Sequence, residues 1–126
     1  MQVAEILVAE DEADIAVILR EILDMAGHHV TLAIDGAMAL ELLESNPLPD
    51  IILTDLKMPR MSGRRLVETL RSDPRTAALP VVLITGAIPN TDDFPPDGSY
   101  DYLIEKPFDI WDVVHTVDRL VGRRRS

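Results

Sequence analysis

Four points in the chain bring reactive side chains to the ends of short apolar runs. Glu10-Asp11 closes Ile6-Leu7-Val8-Ala9, and Asp55 closes Ile51-Ile52-Leu53-Thr54. Thr85 closes Val81-Val82-Leu83-Ile84, and Lys106 closes Tyr102-Leu103-Ile104-Glu105. In an open parallel sheet the carboxyl ends of the strands share one edge, and ligands bind there. Residues far apart in sequence then converge on one polar site above an apolar scaffold. Carboxylates, a hydroxyl and an ammonium group gathered at such an edge point to a divalent metal and a phosphoryl group.

The elements needed to position these groups are legible as alternating strand and helix patterns, the signature of stacked βαβ units. Strands are expected at about Glu5 to Ala9, Val30 to Ala33, Ile51 to Asp55, Val81 to Thr85 and just before Lys106. The third is almost wholly apolar, as a central strand covered on both faces would be. The first helix carries Ile15, Ile18, Leu19, Ile22, Leu23 and Ala26 at helical spacing, with Asp14 as N-cap and Gly27 as stop. A second starts near Asp35 with Ala39, Leu42 and Leu43 inward, and Asn46-Pro47 ends it. A loop with Pro59 and Gly63 leads to a third helix with Leu66, Val67 and Leu70 inward. The last, from about Asp109, shows a stripe of Ile110, Val113, Val114, Val117, Leu120 and Val121.

Between Ile88 and Ser99 the alternation fails. Pro89, Pro95, Pro96 and Gly98 fall there without an apolar helical period, and a proline inside a helix costs about 3 kcal/mol. Four regular helices are therefore expected, with the remaining one lost or irregular. The fold class is α/β, a doubly wound five-stranded parallel sheet, with residues 1–126 as one domain.

Composition narrows the function. A length of 126 residues suits one hydrophobic core. No apolar stretch approaches the roughly 20 residues that cross a bilayer, and Met1-Gln2-Val3-Ala4-Glu5 lacks the features of a secretory leader. No cysteine is present, which excludes disulfides and thiolate metal sites and suits a cytoplasmic setting. A net charge of −10 argues against direct nucleic-acid binding. The Arg123-Arg124-Arg125 run reads as a solvated helix end, or else as an anionic contact or linker start. His28, His29 and His115 show no metal-ligand spacing.

Taken together, Ile6-Leu7-Val8-Ala9-Glu10-Asp11-Glu12, Leu53-Thr54-Asp55-Leu56-Lys57-Met58-Pro59-Arg60-Met61-Ser62-Gly63, Leu83-Ile84-Thr85-Gly86 and Glu105-Lys106-Pro107-Phe108 resemble the receiver domain of the two-component response regulators. The resemblance covers nearly the whole chain and implies a flavodoxin-like receiver fold. It implies that Asp55 is the phosphoacceptor, that Lys106 pairs with phosphoryl oxygens, and that Thr85 is the switch hydroxyl. It further implies magnesium (Mg2+, with Mn2+ as a substitute) bound by Asp11, Asp55 and the backbone carbonyl of Lys57, with Glu10 acting mainly through water. Glu12 is left as a helix-start acid, Gly86 as the small neighbour that lets phosphate approach, and Lys106-Pro107 as a candidate cis bond. Without Asp55 and Lys106, the acidic trio would read rather as a solvated cluster before a helix.

One departure concerns the aromatic residue that the family carries three positions before the lysine. Leu103 stands there, and the Thr85–Lys106 interval is about one residue short. Either a bulge returns Tyr102 to the expected place or the aromatic switch is absent. Trp111, beside the last stripe, is read as a rim-packing residue or a partner anchor.

The expected function is a signalling switch that takes a phosphoryl group from a histidine kinase or histidine phosphotransfer protein onto Asp55. It changes the binding of a downstream protein, and promotes only its own phosphorylation and dephosphorylation. Two rivals are a binding module on the same fold that needs no phosphate, and a magnesium-dependent phosphatase. The latter is disfavoured because Leu56-Lys57 follows Asp55 where an Asp-x-Asp pair would need its second acid.

Overall fold

Why the ends of these strands meet is explained by their order. The structure, a computed structural model, describes residues 3–86 and 93–125. Five strands, β1 (Glu5–Ala9), β2 (His29–Ala33), β3 (Ile51–Thr54), β4 (Val81–Thr85) and β5 (Tyr102–Glu105), pair in the order β2-β1-β3-β4-β5. Every pairing is parallel. The chain leaves β1 for β2 on one side and returns to β3 on the other, so the strand order reverses between β1 and β3. Such a switch point opens a crevice beyond the carboxyl ends of the strands.

Four helices fill the connections among the described residues: α1 (Ala13–Met25), α2 (Gly36–Ser45), α3 (Gly63–Ser72) and α4 (Ile110–Arg125). One face of the sheet buries Ile6, Val8, Ile51, Leu53, Val82 and Ile84 against Leu19 and Leu23 of α1 and Val113 and Val117 of α4. The other buries Leu7, Ile52, Val81 and Leu83 against Ala39 and Leu43 of α2 and Leu66, Val67 and Leu70 of α3. The alternation of neighbouring residues to opposite faces is the period-two geometry of a strand. It explains why β3 and β4 are buried along their whole length. None of the helices among the described residues is long and apolar enough to cross a membrane.

Several boundaries and faces differ from the sequence reading. Glu12, with extended backbone, stands at the N-cap of α1, and Asp14 lies in the first turn. The helix starts early because the Glu12 N–H donates to the Glu10 carboxylate (3.2 Å), turning the chain as soon as the acidic pair is passed. Ile18 (46% exposed) and Ile110 (51% exposed) lie outside the core. Each belongs to a stripe narrower than its apolar run, since a helix on a sheet buries one strip. Ala26 is the half-buried C-cap of α1, and Gly27 has φ of 93°, the left-handed turn that ends a helix. Asp35 caps α2 by accepting the Met38 N–H at 2.8 Å, and Leu42 is partly buried.

The irregular connection before β5 falls partly outside the described residues, which resume at Asp93. From there to Asp101 no helix occurs. Phe94 is buried, Tyr100 meets its ring edge-on at 6.4 Å, and both cover the α2–α3 face of the sheet. Arg71 of α3 holds this cover in place. Its guanidinium donates to the carbonyls of Ser99 (2.8 Å), Ala77 (2.8 Å) and Leu79 (2.7 Å). Asp101 then accepts the Val81 N–H at 2.8 Å. A buried histidine ties the opposite face. His28 Nδ1 accepts the Ala4 N–H (3.0 Å), so Nε2 carries the proton and donates to Asp118 of α4 (2.8 Å).

Gly63 is where this packing leaves no room. A Cβ added there would collide with the Asp55 carbonyl oxygen and lie 2.9 Å from the Leu56 Cα, both backbone atoms. Gly63→Ala is therefore expected to destabilise the fold by about 2–3 kcal/mol, as overpacking against backbone does. A urea titration checks it: the midpoint falls while the slope stays that of the parent.

Candidate functional site

The crevice at the switch point gathers the residues that end β1, β3, β4 and β5. Backbone hydrogen bonds continue the sheet one residue past the strands. The Glu10 N–H donates to Ala33, the Asp55 N–H to Ala9 and the Lys106 N–H to Thr85, each at 3.0 Å. The side chains at these points are thus fixed by the same ladder that pairs the strands. Glu10 (3% exposed) and Asp55 (7% exposed) are buried, whereas Asp11 is exposed. A carboxylate oxygen from each of the three lies within 4.8 Å of the others.

Lys106 reaches into this group. Its Nζ donates to Glu10 Oε1 at 2.8 Å and to Asp55 Oδ2 at 2.7 Å, and Glu12 Oε1 lies 3.7 Å away. The other Asp55 oxygen, Oδ1, accepts the Leu56 N–H at 2.6 Å, so the carboxylate is oriented by both of its oxygens. Phe108 packs against the α1–α4 core, and the Lys106-Pro107 peptide is cis, as expected from its X-Pro sequence. Thr85 is buried at the end of β4, one strand from Asp55. Gly86 is exposed, and among the described residues an added Cβ would find only the Lys106 Cβ, at 4.0 Å.

Burial and charge pull against each other here. Glu10 is raised above the usual glutamate value of 4.5, first because burial penalises its charge, against the opposing Lys106 hydrogen bond, with the nearby Asp55 charge adding to the rise. Burial also works against the Lys106 charge, but the hydrogen bonds it donates to Asp55 and Glu10 outweigh it, and the ammonium ends above 10.5. One ammonium among three carboxylates leaves the crevice negative. Clustered oxygen donors with surplus negative charge are what a hard divalent cation requires, and the donor set fits magnesium or manganese.

The loop after Asp55 forms the rim. Leu56 is buried, and the Gly63 N–H donates to its carbonyl at 2.8 Å. Lys57 lies between them with an exposed side chain, 3.9 Å from Asp93. Arg60 pairs with the buried Asp35 through Nε (2.7 Å) and a terminal nitrogen (3.1 Å). Asp35 is lowered below the usual 3.8, chiefly by the Arg60 hydrogen bond and then by the Met38 N–H. Its contribution to stability is present above 3.8 and fades as the pH falls through the lowered value. Sequence reading recognised Asp35 as a helix start but not its pairing with Arg60, because nothing local links residues 25 apart.

Family comparison agrees with this geometry. A family model described as the response regulator receiver domain matches residues 6–118. The chain belongs to the response regulator receiver domain family. Among its relatives is the response regulator receiver protein CpdR of Brucella abortus, 34% identical over 120 residues, covering 92% of this chain and 95% of CpdR. The DNA-binding dual master transcriptional regulator RpaA of Synechocystis sp. is 36% identical over 124 residues, 94% of this chain, which spans only 49% of RpaA. The chain spans 26% of the transcriptional regulator DctD of Pseudomonas aeruginosa. The signal receiver domain of a histidine kinase from Syntrophus aciditrophicus superposes with a TM-score of 0.87 at 30% identity, covering 94% of this chain and 90% of that one.

Within the receiver fold, the expected aromatic place is settled by register. Leu103 pairs with Leu83 and Tyr102 with Val82, without a bulge. Tyr102 therefore lies on the α1–α4 face, where the Arg119 guanidinium sits 5.1 Å from its ring centre. A bulge returning Tyr102 to the α2–α3 face is excluded, and Leu103 occupies that face. Trp111 is 67% exposed beside His115, with ring centres 6.0 Å apart, and does not pack into the rim.

A carboxyl whose folded value is raised binds its proton more readily folded than unfolded. Its contribution to stability is complete below the unfolded value of 4.5 and is lost as the pH rises through the raised one. Glu10→Gln, which keeps the shape but not the charge, is expected to raise the urea midpoint at pH 7 in a metal chelator. The gain should vanish in acid below 4.5. An unchanged midpoint at pH 7 would show that ionised Glu10 costs the fold nothing.

Proposed function

We propose that this receiver is a phosphoacceptor switch in which Asp55 is the nucleophile toward a phosphohistidine of a partner kinase or phosphotransfer protein. The observation that carries the reading is the Asp55 carboxylate held by Lys106 at 2.7 Å inside a cluster with Glu10 and Asp11. A carboxylate is a poor nucleophile for phosphorus because two anions repel each other. Bound magnesium would supply charge neutralisation, with Asp11, Asp55 and the Lys57 carbonyl as ligands and Glu10 acting through water.

The remaining chemistry belongs to the chain. The Leu56 N–H fixes one Asp55 oxygen and leaves the other, now on Lys106, to attack. The Asp55 O–P bond forms as the P–N bond of the donor breaks, and the donor imidazole keeps the electron pair and takes up a proton. Lys106 exchanges its hold on Asp55 for the equatorial phosphoryl oxygens, whose charge it opposes. Thr85, one strand away, provides a hydroxyl to the same group. Water later cleaves the acyl phosphate and resets the switch.

A phosphoryl group contacting Thr85 and Lys106 in only one of two conformations biases the balance between them. With Leu103 in place of an aromatic, the message passes through Thr85, β4 and the segment after it without a ring that turns. The partners expected are proteins rather than nucleic acid, a reading supported by the net charge of −10.

Intact mass after incubation with magnesium and acetyl phosphate tests the proposal. The parent should gain one phosphoryl group and Asp55→Asn none. Lys106→Ala should label about 100-fold more slowly, the usual cost of removing one charge-stabilising group. Equal labelling of Asp55→Asn would assign the acceptor elsewhere.

A further inference from the structure

A second ion pair stands at the same edge of the sheet, and the phosphoacceptor chemistry does not use it. Asp35 is 1% exposed at the head of α2. Its Oδ1 accepts the Met38 N–H (2.8 Å) and an Arg60 nitrogen (3.1 Å), while Oδ2 accepts Arg60 Nε (2.7 Å). Arg60 has φ of 62°, a left-handed backbone that side chains other than glycine, asparagine and aspartate seldom adopt. It is the only such non-glycine among the described residues. Beside this pair the Gly36 N–H donates to the Met61 carbonyl at 3.1 Å, and a Cβ at Gly36 would stand 2.8 Å from that oxygen. Three contacts therefore fasten the β3–α3 loop to the β2–α2 turn at one point.

Elsewhere the loop is held at its ends. Leu56 is buried beside Asp55, and Gly63 sits under the Asp55 carbonyl. Between these ends Lys57 and Pro59 are exposed, Met58 and Met61 are half-buried against the α2–α3 core, and the salt bridge of Lys57 is long and solvated. The course of the backbone from Lys57 to Arg60 thus depends on the anchoring of Met58 and on the clamp at its far end.

We infer that Arg60 is a positioning residue. Its two-pronged pair with Asp35 holds the β3–α3 loop so that the Lys57 carbonyl is presented to the cation beside Asp11 and Asp55. The inference rests on the magnesium reading above and adds a part to it. Groups that orient a metal ligand commonly carry a 10- to 100-fold share of the affinity. A two-pronged guanidinium–carboxylate pair fixes direction as well as distance, which a lysine at the same place would not do.

The test is direct titration of magnesium by calorimetry, well below the unfolding temperature, on the parent, Arg60→Asn, Asp35→Asn and the double variant. Asparagine tolerates the left-handed backbone at residue 60 and keeps a capping oxygen at residue 35. Arg60→Asn should weaken magnesium binding about tenfold. The sign is informative, because removing a positive charge near a cation site would by itself strengthen binding. Asp35→Asn should weaken binding similarly, and the double variant no further, since both act through one clamp. Amide exchange of Gly36 without metal should quicken in Arg60→Asn, as the loop it bonds to is released. Parent-like affinity in Arg60→Asn, or weakened affinity with unchanged Gly36 exchange, would overturn the clamp and leave the magnesium reading standing. A parent that binds no magnesium would overturn both.

Discussion

Three carboxylates drawn together at the edge of an apolar sheet repel one another, and one lysine holds the two that are buried. Lys106 spans Glu10 and Asp55 at 2.8 and 2.7 Å. The compensation is incomplete: Glu10 is still pushed toward its neutral form. A site left with surplus negative charge is costly for a fold and useful for a switch. It favours a divalent cation, and it makes the fate of Asp55 felt by every group that depends on the same lysine.

The parallel sheet makes this gathering possible. Glu10, Asp55 and Lys106 each sit one residue past a strand, so the ladder that satisfies the backbone also aims the chemistry. Displacing one strand by a residue would turn its side chains to the opposite face, which the continuous apolar runs of β1, β3 and β4 oppose less than alternating ones would. Register there is held by connections as well: Gly63 wedged against Asp55, and the β2–α2 turn fastened to the β3–α3 loop through Asp35 and Arg60.

The stretch before β5 shows how the fold covers a face without a regular helix among its described residues. Phe94 and Tyr100 supply apolar area, and Arg71 ties the Ser99 carbonyl of this stretch to the Ala77 and Leu79 carbonyls of the connection before β4. Leu103 lies under this cover where a rotating ring would need room. The described part of this cover is a stapled loop, and Leu103 packs against it without an aromatic ring at that register position.

Local pattern was enough to read five strands, four helices and the residues that end them, because period, proline and glycine act within a few residues. The same reasoning found Glu10, Asp11, Asp55, Thr85 and Lys106, since each follows an apolar run and strand ends share an edge. It misplaced Ile18 and Ile110, whose helices bury narrower strips than their apolar residues span. It left Tyr102 and Leu103 open, because only the pairing of Leu103 with Leu83 decides which sheet face each occupies. It also had no access to the His28–Asp118 contact, the Arg71 staple or the Asp35–Arg60 clamp. The sequence by itself determined which groups meet at the crevice. Tertiary structure alone decided how they are held, because an ion pair between distant residues forms only after the sheet has brought their loops together.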